Sequence, residues 1–208
     1  MTADLDREIT NHHFRVVLFG SARIKEGTKA YRQIYALARM IGAEGFDIVT
    51  GGGPGLMDAA MSGHNAGRKD ASVHEIGLQI KLPNEQRDSS HFDIKEEFSR
   101  FSPRLDTFML LGNAIVVAPG GVGTLLELAY TWQLMQVQQT CKVPVILLGD
   151  MWPEFIAWIK KWPLKHKLLN KEDLDLLYLA KDEQEAMRLV KLAHEIFMRN
   201  GTNVPLPK

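Results

Sequence analysis

The sequence predicts a three-layer α/β domain, a mostly parallel sheet with helices on both faces. Three observations predict it. Short runs rich in Val, Ile and Leu alternate with longer stretches whose apolar residues recur at helical spacing. The short runs are apolar almost throughout, as strands covered on both faces must be. Turns made of small residues follow three of them.

The elements read in order. "RVVLFG" (15–20) is a buried strand, and "KAYRQIYALARMIGAEG" is an amphipathic helix that Gly45 stops. "FDIVTGGG" is a second strand ending in glycines, "GLMDAAMSGHNAG" a helix, "EIGLQI" a third strand and "NAIVVAPGG" a fourth. "VGTLLELAYTWQLMQ" is a helix, "KVPVILLG" a strand and "PEFIAWIKKW" a helix. "LDLLYLA" is a last strand before the helix "DEQEAMRLVKLAHEIFMRN". No repeat or linker divides residues 1–208, so one Rossmann-like nucleotide-binding domain is expected, with 1–13 and 201–208 as loose ends.

Composition narrows the partners. The 208 residues carry 25 basic and 25 acidic side chains, which argues against nucleic acid or a membrane surface as partner. Cys141 is the one cysteine, so no disulfide framework exists, and a reducing cytoplasm is the expected compartment. The opening "MTADLDREITNHHFR" lacks the apolar core of a signal peptide, and no apolar run reaches the ~18 residues of a membrane span. The histidines, including adjacent His12 and His13, show no zinc-ligand spacing, and no metal is expected. His64 and His74 read as structural.

Ligands in such sheets bind beyond the carboxyl ends of the strands. Three turns leave strands there: "FGSAR", "TGGGPGLMD" and "APGGVGTLLE". Glycines admit a ligand close to the backbone, and the helix that follows offers unpaired N–H groups that suit a phosphate. Neither glycine-rich turn has the lysine and hydroxyl of a P-loop. Gly121 and Gly123 start a dinucleotide fingerprint, but Leu126 holds its third glycine position; Gly51 and Gly53 start another, and Leu56 breaks it. A single phosphate on Gly121, Gly123 and Thr124 fits better than a pyrophosphate, and no cofactor is expected. The expected pocket comprises Gly20, Ser21, Gly52, Gly53, Gly120, Gly121, Val122, Gly123 and Thr124, with Arg23 beside the first strand. Glu85 is either a loop residue or a contact to base or ribose. Asp58 either bonds a ligand or favours its helix start. Thr124 and Glu127 also spell a capping box, which needs no substrate.

"PGGVGTLLE" resembles the P-G-G-x-G-T-x-x-E signature of the LOG (Lonely Guy) family, once widely labelled possible lysine decarboxylases. "TGGGPGLMDAA", "VVLFGSARI" and "GLQIKLPNEQ" are similar to further segments of that family, and the resemblance runs from about Val16 to Gly149. It implies hydrolysis of the N-glycosidic bond of nucleoside 5′-monophosphates, such as AMP or cytokinin ribotides, to free base and ribose 5-phosphate. It implies Glu127 and Arg104, in "SPRLDTFM", as the catalytic pair, and at least a homodimer. The family's lysine after that arginine is Leu105 here, and Arg100 is a candidate replacement for its charge. The alternative is a non-catalytic nucleotide or cofactor binder of the molybdenum cofactor carrier type. Lysine decarboxylation would need pyridoxal phosphate on a lysine, which none of the three turns presents.

Overall fold

Strands β1 (Arg15–Phe19), β2 (Asp47–Thr50), β3 (Glu75–Ile80), β4 (Ile94–Phe98), β5 (Ala114–Val117), β6 (Val145–Leu148) and β7 (Leu177–Ala180) make one sheet in the order β4-β3-β2-β1-β5-β6-β7. Every pairing is parallel. The computed structural model describes residues 2–10, 13–81 and 92–206, so Glu85 and His12 lie outside the described residues. Strand order reverses between β1 and β5, and the three small-residue turns leave β1, β2 and β5 on one common edge beside that reversal.

The two faces of the sheet carry separate cores. Val16, Leu18, Ile48, Val116 and Ile146 point to the layer formed by α2 (Lys29–Ala43), α3 (Leu56–Gly67) and α8 (Glu183–Asn200). Their neighbours Val17, Phe19, Val49, Ile115 and Val117 point to the other layer. It holds α1 (Ala3–Thr10), α4 (Phe101–Leu111), α5 (Val122–Gln136), α6 (Trp152–Ile159) and the short α7 (Lys171–Leu174). This alternation along strands that are buried on both sides is why they read as unbroken apolar runs. Helices α2 and α3 approach so closely that a Cβ on Gly63 or Gly67 would overlap the backbone of Tyr35 or Arg39.

The structure departs from the sequence reading in four places. β4 (IKEEF) pairs with β3 at the sheet edge and buries only Ile94 and Phe98; its charged residues suit an edge and hide the strand signal. The segment before β5 folds into α4. Among the described residues, parts of both ends pack against the body. Residues 3–10 form α1, which buries Leu5 and Glu8, and Leu206 is buried with its carbonyl accepting from the Tyr178 hydroxyl at 3.0 Å. The helix read as "PEFIAWIKKW" ends as α6 at Ile159 and continues as a π-helical turn, Lys160–Leu164, that contains Pro163. Among the described residues, no helix is long and apolar enough to cross a membrane.

Candidate active site

The three turns are stitched into one rim. The Ser21 amide donates to the Pro119 carbonyl at 3.1 Å, and the Leu56 amide donates to the Ser21 carbonyl at 3.0 Å. Gly55 makes the second stitch possible. Its φ of +72° favours glycine, and a Cβ there would lie 2.5 Å from the Ser21 carbonyl oxygen. Gly20 sits where a Cβ would come within 3.0 Å of Leu56 Cβ and 3.2 Å of Ala118 Cβ, so α3 and the β5 turn close on β1. The Ser21 hydroxyl accepts from the Arg23 amide at 3.1 Å, and exposed Arg23 stands at the lip of the rim. Gly52 is held by Gln79, whose Nε2 donates to its carbonyl at 2.9 Å, while Gly53 packs against Met57.

Beneath the rim, α4 and α5 bring Arg104 and Glu127 together. The Arg104 Nε donates to the Leu78 carbonyl at 2.6 Å, its Nη1 donates to Glu127 Oε1 at 3.3 Å, and its guanidinium lies 5.0 Å from the centre of the Phe108 ring. Both side chains are largely buried, 7% and 13% exposed. Nη2 bonds to no described residue and keeps donors for a ligand. It fills the space over Gly51, where any Cβ would overlap it. Burial pushes the Glu127 carboxyl up to about 7, and Arg104 pulls the other way without cancelling it. Burial also loosens the proton of Arg104, which the neighbouring carboxylate helps retain. A guanidinium stays cationic throughout. The carboxyl is thus poised between acid and carboxylate near neutral pH.

The capping-box reading of Thr124 and Glu127 does not survive. Helix α5 starts at Val122, its N-cap is Gly121, and no side chain caps it. Thr124 is the third helical residue, buried against Gly120, and Glu127 is spent on Arg104 instead. The first amides of α5 therefore face outward without a side-chain acceptor. Gly121 and Gly123 are exposed, and a Cβ on either would meet nothing within 4 Å. Protein packing does not demand these glycines, and exposed Val122 lies between them.

Other candidates separate. Asp58 is exposed and accepts from the Tyr31 hydroxyl at 2.8 Å, which helps push that phenol up to about 12 after burial. Arg100 is the exposed N-cap of α4, one turn before Arg104. Leu105 is buried in the core on the sheet side of α4, so at this position the chain carries a packing residue. His64 is structural: it is fully buried, with Nδ1 3.0 Å from Glu75 Oε1 and Nε2 2.9 Å from the Phe46 carbonyl. His74 is not a core histidine. It joins Glu8, His13 and Asp47 at the opposite edge of the sheet, a set of possible ligand atoms assembled without the sequence spacing of a zinc motif. A groove of about 480 Å³ between α2 and α8, lined by Met40, Glu44, Arg188 and Lys191, includes none of the candidate site residues.

The sequence profile of a protein family described as "Possible lysine decarboxylase" matches residues 56–190. The chain belongs to this family, the LOG family. The match takes in α3, Arg104, the glycine turn after β5 and Glu127. No curated protein matches the chain significantly. Among solved structures, this LOG-family chain is similar to the Moco carrier protein of Chlamydomonas reinhardtii, with TM-score 0.64, 23% identity, and 88% of this chain and 99% of that chain covered. It is similar to the molybdenum cofactor binding protein of Rippkaea orientalis, with TM-score 0.63, 21% identity, and 86% and 95% covered. It is also similar to DNA processing protein A of Helicobacter pylori, with TM-score 0.54, 14% identity, and 89% and 83% covered. At these identities the likeness shows the Rossmann-like α/β fold that this LOG-family protein shares with them.

Proposed function

We propose that the protein hydrolyses the N-glycosidic bond of a nucleoside 5′-monophosphate, releasing the base and ribose 5-phosphate. The observation that carries this reading is the Arg104–Glu127 pair, buried beneath an open glycine turn at the switch point of the sheet. The first amides of α5, with Gly121, Val122 and Gly123, bind the phosphate; Gly20, Ser21, Gly52, Gly53 and Gly120 shape the rim; Thr124 supports the turn from below. Phosphate binding fixes the sugar and contributes binding energy remote from the bond that breaks.

The bond from C1′ to the base nitrogen breaks with its electron pair leaving on the base, and positive charge builds on the ribose ring. Ionised Glu127 stabilises that charge and takes a proton from a water whose oxygen bonds to C1′. The proton that Glu127 takes from water is passed on, through solvent, to the departing base nitrogen, so the proton count closes and Glu127 returns to its ionised form. Arg104 holds Glu127 in place through Nη1 and offers Nη2 to the substrate.

Two supporting readings travel with the activity. Exposed Phe101, Leu110, Leu125 and Leu126 on α4 and α5 support a homodimer. The single cysteine, Cys141, is exposed and unpaired, which fits a cytoplasmic protein. The second functional reading, a non-catalytic nucleotide or cofactor binder, is favoured by Leu105 in place of a site cation. One experiment separates the two. The pure protein is incubated with a panel of nucleoside monophosphates, and free base and ribose 5-phosphate are measured. Release from at least one monophosphate, lost in Glu127→Gln, is the expected result. Tight AMP binding with no base released from any monophosphate would move the protein to the binder class.

A further inference from the structure

We propose that Glu8, His13, Asp47 and His74 form a structural binding site for a divalent transition cation of the zinc class, at the sheet edge opposite the glycine turns. Glu8 lies in the last turn of α1, His13 precedes β1, Asp47 opens β2 and His74 immediately precedes β3. The parallel register brings these segments side by side. Arg15 is opposite Asp47, Ile48 is opposite Glu75, and the Ile48 amide donates to the His74 carbonyl at 3.1 Å.

The four side chains each present one ligand atom, and these atoms all lie within 4.8 Å of one another. Two edges of the cluster are short: His13 Nδ1 to Asp47 Oδ2 is 3.4 Å, and His74 Nδ1 to Glu8 Oε1 is 3.2 Å. Bonds of about 2.0–2.1 Å to a tetrahedral zinc ion put neighbouring ligands about 3.3 Å apart. These contacts are not hydrogen bonds. Asp47 Oδ2 and His74 Nδ1 are both buried without a hydrogen-bond partner, and the Asp47 side chain is only 1% exposed. Buried polar atoms are seldom left so. Here two of them converge on one point.

The remaining oxygens are tied back. Glu8 Oε2 accepts from Arg15 Nη2 at 2.6 Å, and Asp47 Oδ1 accepts from the His74 amide at 2.8 Å. Each carboxylate thus has one oxygen oriented by the protein and the other aimed inward, the arrangement by which outer contacts fix metal ligands. Charge points the same way. Among the described residues, the buried carboxylates of Glu8 and Asp47 face the guanidinium of Arg15, whose Nε is 3.4 Å from Asp47 Oδ2. The helices run antiparallel to the strands, so the negative dipole ends of α1, α2 and α3 gather at this edge. A dication offsets that excess. Four protein ligands leave no open position, so the ion clamps α1 to β2 and β3 and takes no part in chemistry.

The test uses the full chain without an affinity tag, stripped with a chelator and titrated with Zn²⁺ by calorimetry and with Co²⁺ by visible absorption. One equivalent bound, a four-coordinate Co²⁺ spectrum and a raised melting temperature are expected. His13 is 40% exposed, so His13→Ala keeps the fold while losing the spectrum and the thermal shift. His74→Ala behaves alike, and His166→Ala, at the exposed end of the π-helical turn, binds as the wild type does. No saturable binding by the wild type would overturn the site. Binding left unchanged in both His13→Ala and His74→Ala would also overturn it.

Discussion

The two edges of the sheet hold buried charges in opposite ways. At the amino-terminal edge, His64, Glu75, Arg15, Glu8 and Asp47 sit close-packed, with most contacts at 2.6–3.4 Å. At the carboxy-terminal edge, Arg104 and Glu127 make one contact with each other at 3.3 Å, beneath glycines with nothing over them. Helix polarity sets the difference: amino termini at one edge suit anions, and carboxy termini at the other suit cations. A parallel sheet therefore has an edge prepared for an anionic ligand and an edge that must be neutralised from within.

The largest expected effect tests that contrast at Glu127. Replacing it by Gln keeps size and hydrogen bonding but removes the charge. Turnover of the monophosphate should fall by about 10³-fold with nucleotide affinity largely kept, read as kcat and KM in a base-release assay. Full activity in this variant would break the comparison.

The same substitution should alter the pH dependence of stability. The folded carboxyl is raised to about 7, above its unfolded value of about 4.3. The native state therefore holds the extra proton between these values, and stability falls as pH rises through that window. Glu127→Gln removes that loss, so relative to wild type it should gain stability from pH 5 to pH 8, by at most about 3 kcal/mol. Denaturant melts across that range measure it. A constant difference would mean that Glu127 is not held against its ionisation.

A smaller effect is expected from Gly51→Ala. The added methyl overlaps Arg104 Nη2 and must displace the guanidinium. A shift of about 1 Å in a positioning group can cost up to 10²-fold, so kcat should drop by roughly 10- to 100-fold while the far-ultraviolet circular dichroism is unchanged. The smallest effect is at Gly123→Ala. Nothing surrounds that position, so stability should change by less than about 1 kcal/mol. AMP should bind more weakly, while adenosine binding is unchanged. Equal affinity of the variant for AMP would show that the open rim is not a phosphate seat.

Much of this frame could be read from residue order alone. Strands β1, β2, β3, β5 and β6 announce themselves because burial on both faces favours apolar residues on successive positions, with polar ones mainly at their ends. β4 stayed hidden because an edge strand carries Lys95, Glu96 and Glu97. α1 stayed hidden because Leu5 and Ile9 are its only large apolar residues, in a short and otherwise polar segment. In the candidate site, the glycine turn draws attention to Glu127, but its catalytic role is an implication of the family resemblance. Arg104 was reached only by counting along a family signature, since no local pattern tells an arginine aimed under a rim from one on the surface. The cluster of Glu8, His13, Asp47 and His74 has no spacing to detect, because parallel register, not helical period, draws it together.

The seam between α2 and α3 bears on how this protein can be altered. Gly63 and Gly67 let two backbones touch, and α3 carries the Gly51–Gly55 turn at its amino end. Any side chain added at the seam would tilt α3 and lift the rim, so a screen for new substrate range should find no improved clones there. Variation should instead be productive at Arg23 and Val122, which stand exposed at the glycine turns. The molecule thus separates a stretch where sequence drift is forbidden from a border where it is free, and a mutagenesis library restricted to that border samples specificity without spending clones on misfolded chains.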